Sequence, residues 1–133
     1  MAAFYDGGLH IEVVPFSKEG SINYLFRITF NYNNSIYLGK EETVSILSTL
    51  RNALIDGKND SITFSADNDL FTDFSLCISP WSDRVSLILK YKNRPDIIKL
   101  HYYYNNKKSS IKKFNKFMEE VTSMKSMNWE CLS

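Results

Sequence analysis

Two cysteines, two histidines and a formal charge of only +1 mark what this chain of 133 residues has little of. Cys77 and Cys131 show no CxxC spacing, and Cys131 lies two residues from the end, so neither a zinc site nor a disulfide framework is expected. Reduced, cytoplasmic surroundings fit that usage. A metal centre built on His10 and His101 would need Asp, Glu or Cys to complete it, and no spacing offers one. With 16 Lys and Arg against 15 Asp and Glu, the chain cannot coat nucleic acid by bulk charge, and any such binding must come from a local patch. No stretch approaches the ~20 apolar residues of a membrane span. The opening "MAAFYDGGLHIEVVPF" lacks a basic segment followed by a long apolar run, so a soluble, unexported protein without a membrane partner is expected. GxSxG, a phosphate-cradling glycine loop and HExxH are all missing, which argues against an enzyme and gives no reason to expect a cofactor. The loop holding Asp67, Asp69 and Asp73 lacks the glycine and terminal glutamate of a calcium loop and reads as a polar connection. Cys77, in a strand with no nameable base beside it, reads as sheet packing.

What is present suffices for a core: 44% of residues are apolar, enough for one domain over 1–133, with 125–133 as a C-terminal tail in which Trp129 and Leu132 could dock. In "NYLFRITFNY", Tyr24, Phe26, Ile28, Phe30 and Tyr32 alternate with Leu25, Arg27, Thr29 and Asn31, the pattern of a half-buried strand. "LHIEVVPF" reads as a strand stopped by Pro15 and a turn at "SKEG", and "IYL" as a short strand. Val44, Leu47, Leu50, Leu54 and Ile55 then recur at helical spacing, with Glu41 and Glu42 at the positive end of the dipole and Gly57 as the stop. The second half repeats the order. Strands "SITF", "FSLCISPW", "RVSLILKY" and "DIIKLHYYY" precede a helix capped by Ser109 or Ser110, whose stripe is Ile111, Phe114, Phe117, Met118, Val121 and Met124. The expected class is α+β: a mostly antiparallel curved sheet with two helices on one face, the strands-then-helix arrangement occurring twice.

Alternation sorts the second-half strands into two faces. Phe74, Leu76, Ile78, Val85, Leu87, Leu89, Tyr91, Ile98, Leu100, Tyr102 and Tyr104 must lie under the helices. Opposite them stand Ser75, Cys77, Ser79, Trp81, Ser86, Ile88, Lys90, Lys92, Lys99, His101 and Tyr103, joined by Arg27 and Thr29, with no acid among them. A solvated sheet face explains lysines and hydroxyls. Single-stranded nucleic acid also needs cations for phosphates and rings for bases, which Arg27, Lys90, Lys92, Lys99, Trp81, Tyr103 and His101 could supply. Lys107, Lys108, Lys112, Lys113 and Lys116 crowd the start of the last helix, where they oppose its dipole; a solvated helix face or an anionic partner would account for them.

The units "YLFRITFNYNNSIYLGKEETVSILSTLRNAL" and "RVSLILKYKNRPDIIKLHYYYNNKKSSIKKFNKFMEEV" resemble, in element order, the Whirly-type and transcriptional-coactivator-like single-stranded nucleic-acid-binding fold. The resemblance implies four strands before each helix, where the first half shows three. It further implies that DNA or RNA lies on the face turned from the helices, and that copies assemble into a homo-oligomer. The competing expectation is a small protein-interaction module, for example a phage or viral inhibitor of a host defence or transcription protein, using the same surface against an acidic partner. Frequent Asn, Lys, Ser and Ile accord with an AT-rich genome of a phage, a virus or a low-GC bacterium.

Overall fold

The computed structural model describes residues 3–31, 34–64, 74–92 and 95–124. The aspartate loop, Tyr32 and the segment 125–133 with Trp129, Cys131 and Leu132 lie outside them. Along the chain run β1 (Ala3–Asp6), β2 (Leu9–Lys18), β3 (Ser21–Phe30), β4 (Asn34–Leu38), α1 (Lys40–Asp56), β5 (Asp60–Phe64), β6 (Phe74–Pro80), β7 (Val85–Tyr91), β8 (Ile97–Tyr102) and α2 (Lys107–Ser123). The strands form two antiparallel meanders, β1-β2-β3-β4 and β5-β6-β7-β8, each followed by its helix. The fold is therefore α+β as expected.

Two expectations about the first half are corrected. Four strands precede α1: Ala3–Asp6 pairs with Leu9–Glu12, hidden from pattern reading because the strand is short and one of its two inward positions is an aspartate. β2 also does not stop at Pro15. It runs on to Lys18, with Pro15 opposite Tyr24, in a stretch beyond the residues paired with β1. A proline is tolerated there because a strand edge needs no N–H for a second ladder. Glu19 and Gly20 then turn the chain, both at positive φ (51° and 79°), the two-residue geometry whose twist matches its flanking strands.

Register decides what is buried. Phe26, Ile28 and Phe30 of β3 face inward with Leu9 and Ile11 of β2, all fully enclosed, while Leu76, Ile78, Leu87 and Leu100 do the same in the second sheet. α2 closes this core with Phe114, Phe117, Met118 and Val121, as its spacing predicts, and Phe114 stacks on Phe4 at 5.1 Å between ring centres. α1 differs in detail: Ile46, Leu47, Leu50, Ala53 and Leu54 are buried, and Ile55 points to solvent.

The helices run antiparallel. Lys40 at the start of α1 donates to the carbonyls of Thr122 and Met124 at the end of α2 (3.3 and 2.8 Å), and Arg51 reaches Asn115 at 3.0 Å. Carbonyls orphaned at the helix end are thereby satisfied. The cap of α2 is Asn106, accepting from the Ser109 amide at 3.0 Å, rather than either serine. Ser110 is instead buried and donates to Asp6 at 2.7 Å.

That contact belongs to a junction between the two halves. Asp6 is almost wholly enclosed and also accepts from the Tyr102 hydroxyl and from Lys113 Nζ (3.3 Å), so one carboxylate of β1 gathers three donors from β8 and α2. Burial first, and then the bond to Asp6, push the Tyr102 hydroxyl well above the usual phenol value. Beside it the Tyr103 amide donates to the Gly7 carbonyl at 2.9 Å. A Cβ on Gly7 would stand 2.0 Å from the Tyr103 oxygen, and its φ of +55° suits glycine as well.

Candidate nucleic-acid interface

On the side of the second sheet turned from the core, the register sets side chains in three rows. Thr63, Ser75, Lys90 and Ile97 form one row, Ser61, Cys77, Ile88 and Lys99 the next, and Ser79, Ser86 and His101 the third. Successive rows are two residues, or about 7 Å, apart along each strand. Lys90 and Lys99 thus sit diagonally, each opposite an isoleucine, and neither has a hydrogen bond or ion pair among the described residues. No sheet position on this face carries an acid.

Aromatic groups close one end. His101 holds Ser86 Oγ through Nδ1 at 3.4 Å and lies 5.8 Å from the Tyr103 ring. Tyr103 exposes 46% of its surface, although its backbone is fixed on Gly7. Trp81 stands in the β6–β7 turn rather than in the strand, with 59% of its surface open. Its backbone is clamped on both sides: its amide donates to Arg84 O at 2.7 Å, and its carbonyl accepts from the Tyr104 hydroxyl at 2.6 Å. Burial, helped by the charge of Asp83, raises the Tyr104 hydroxyl above its ordinary value and keeps it a donor. The consequence is an exposed ring on a rigid base. A cleft of about 220 Å³ lies between this turn and β7–β8, lined by Trp81, Arg84, Ser86, Lys99 and His101 among others.

The first sheet presents a different outer face. Here Arg27, expected as a free cation, stands directly opposite Glu12 and is bound to it. Bonding to Glu12 first, and to Tyr37 second, raises the guanidinium above its usual value; the same bond to Arg27 chiefly holds Glu12 below the carboxylate range. The combined face is therefore not free of acid. Thr29 and Ser35 share a hydrogen bond of 2.9 Å, and Tyr5 meets His10 edge-on at 6.0 Å. Around them is a polar depression of about 330 Å³ whose charges are internally matched.

The helix lysines divide as well. Lys113 has a structural reason for its place, the buried Asp6. With Lys116 it lines a groove of about 180 Å³ against Ala3, Phe4 and Tyr5, which groups these two with β1 rather than with Lys90 and Lys99. Lys107, Lys108 and Lys112 are exposed on the first turns of α2, and Lys92 is exposed just past β7.

Arg84 and Ile97 escaped sequence reading. Arg84 sits in a turn outside the strand alternation, and its guanidinium lies over the Trp81 ring at 6.0 Å. Ile97 begins β8 on the outer side, half exposed, opposite Lys90. Among the described residues no group of three or more His, Cys, Asp or Glu could hold a metal, and no helix is long and apolar enough to cross a membrane. No family model, curated protein or solved structure matches the chain.

Proposed function

We propose that the outer face of β5–β8 binds single-stranded nucleic acid, with Lys90 and Lys99 meeting phosphates and Trp81, His101 and Tyr103 stacking bases. One observation carries this reading: the sheet positions of that face hold cations without acids, whereas Arg27 on the first sheet is already paired with Glu12. Clamped, exposed rings add to it, since stacking needs a platform that loses little freedom on binding. The order of elements, four strands and a helix twice over, supports the likeness to the Whirly-type arrangement on which the reading also draws. Action in the cytoplasm and absence of catalysis belong to the same proposal.

The test is fluorescence anisotropy with labelled oligo-dT and oligo-U between 50 and about 300 mM salt, where affinity should fall steeply as counterions are released. Changing Lys90 and Lys99 together to Glu should weaken binding at least about a hundredfold while the thermal midpoint stays in place, because exposed charges contribute little to stability. Absence of binding by the wild-type chain at about 50 mM salt, where electrostatic attraction is strong, would end this reading. A second reading would then take its place. Ile88 and Ile97, 38% and 50% exposed between the lysines, stack no base and are what an acidic protein partner would cover.

A further inference from the structure

The cleft beside Trp81 holds more than the face around it requires. Arg84 lines it, yet the Arg84 Nε hydrogen is buried with no hydrogen-bond partner among the described residues. A buried donor left unmade is costly, and it is uncommon enough to need a reason. The rest of the lining sets Lys99 and His101 from β8 and Ser79 and Ser86 from β6 and β7 beside the apolar Leu87 and Ile88, and among the described residues it includes no carboxylate. Asp83, which does not line the cleft, stands 3.5 Å from Arg84 Nη1 and is itself mostly exposed. Over this basic recess stands an aromatic ring whose backbone cannot swing away.

Resting on the reading above, we propose that this cleft is a single-nucleotide subsite: Trp81 stacks one base, and Arg84, with Lys99 and His101, takes the phosphodiester group that adjoins it. A phosphate oxygen entering the recess gives the Arg84 Nε hydrogen the acceptor it lacks. Because the guanidinium also lies over the indole, base and phosphate are read by one coupled unit. The subsite would fix where a strand starts across the face, and Lys90, two rows away, would follow it along the backbone.

The full chain and labelled oligo-dT test this with Arg84→Gln, Arg84→Lys, Trp81→Ala and the Arg84→Gln/Trp81→Ala pair, each checked for an unchanged thermal midpoint. Arg84→Gln should weaken binding about tenfold and flatten the dependence of log affinity on log salt by about one, the signature of a lost phosphate contact. Arg84→Lys should keep the slope and still bind several-fold more weakly, since the charge remains and the planar donor does not. Trp81→Ala should cost about tenfold with the slope intact. The paired variant should lose less than the product of its two single losses, as groups in one unit do. Wild-type affinity and slope in Arg84→Gln, or losses that multiply fully, would overturn the subsite. If Lys90→Glu/Lys99→Glu abolishes binding while Arg84→Gln is silent, the sheet-face reading stands without it. If the wild-type chain binds no oligonucleotide, both fall.

Discussion

Arg27, on the inner strand β3 of the first sheet, and Lys99, on the edge strand β8 of the second, both stand on outer sheet faces, yet one looks across at Glu12 and the other at Ile88. A single cross-strand neighbour thus matches Arg27 with a carboxylate and leaves Lys99 beside an apolar spacer. On their inner sides the sheets do not differ in this way. Both bury alternating aliphatic and aromatic residues, both are followed by an amphipathic helix of 17 residues, and one continuous core joins them. What folds the chain is common to the two halves. What distinguishes a surface from an interface is which residue stands opposite each charge.

The largest effect should come from breaking the inner side. Asp6→Ala removes the acceptor of Tyr102, Ser110 and Lys113 at once; the half-exposed Lys113 returns to water, but the buried Tyr102 and Ser110 hydroxyls lose their acceptor, at a cost of about 2 to 4 kcal/mol in all. Urea unfolding should show it; a loss under about 1 kcal/mol would mean that Asp6 does not hold the halves together. Ser110→Ala leaves two of the three donors in place and should cost about 1 kcal/mol.

Next in size is the conversion of the second face into a copy of the first. Ile88→Glu gives Lys99 the carboxylate opposite that Arg27 already has, at a position exposed enough to accept it. Oligonucleotide affinity should fall about tenfold at 50 mM salt, with a shallower salt dependence, because one phosphate contact is pre-empted. Unchanged affinity would separate charge matching from binding.

The converse change is smaller and depends on pH. Glu12 has its folded value pulled below its ordinary 4.5 by Arg27, so its contribution is complete above that pH and lost as pH falls through the lower folded value. Both partners are about a third exposed, so solvent screens the pair and Glu12→Gln should destabilise by only about 0.5 kcal/mol at pH 7. Once the pH has fallen below the lowered folded value, the variant and the wild type should unfold alike. A difference that persists in acid would assign the effect to packing.

Much of this was legible before any coordinates. β3 and β6 to β8 alternate cleanly, so their inner and outer faces followed from period two, and Phe114, Phe117 and Val121 announced the buried stripe of α2. The pairing of Glu12 with Arg27 was hidden for a definite reason. It requires the register of the β2–β3 hairpin, and Pro15 appears to end the strand when it only marks an edge. Asp6 broke the apolar alternation of β1, concealing both that strand and the partner of Lys113. In α1, Ile46 and Ala53 turn inward and Ile55 outward, a shift in phase that spacing alone leaves open because the helix carries apolar residues over a wide arc. Arg84 was read as the first residue of the strand "RVSLILKY", whereas β7 starts at Val85 and leaves Arg84 in the turn beside Trp81.

The contrast between the two outer faces is tested most directly by titrating the ¹⁵N-labelled chain with oligo-dT and following its amide resonances. Shifts should gather at Ser86, Ile88, Lys90, Ile97, Lys99, His101 and Tyr103, while His10, Glu12, Arg27, Thr29 and Tyr37 stay where they were. Perturbations centred on the first sheet, or spread evenly over both, would contradict the claim that unmatched charge on the second sheet makes the interface.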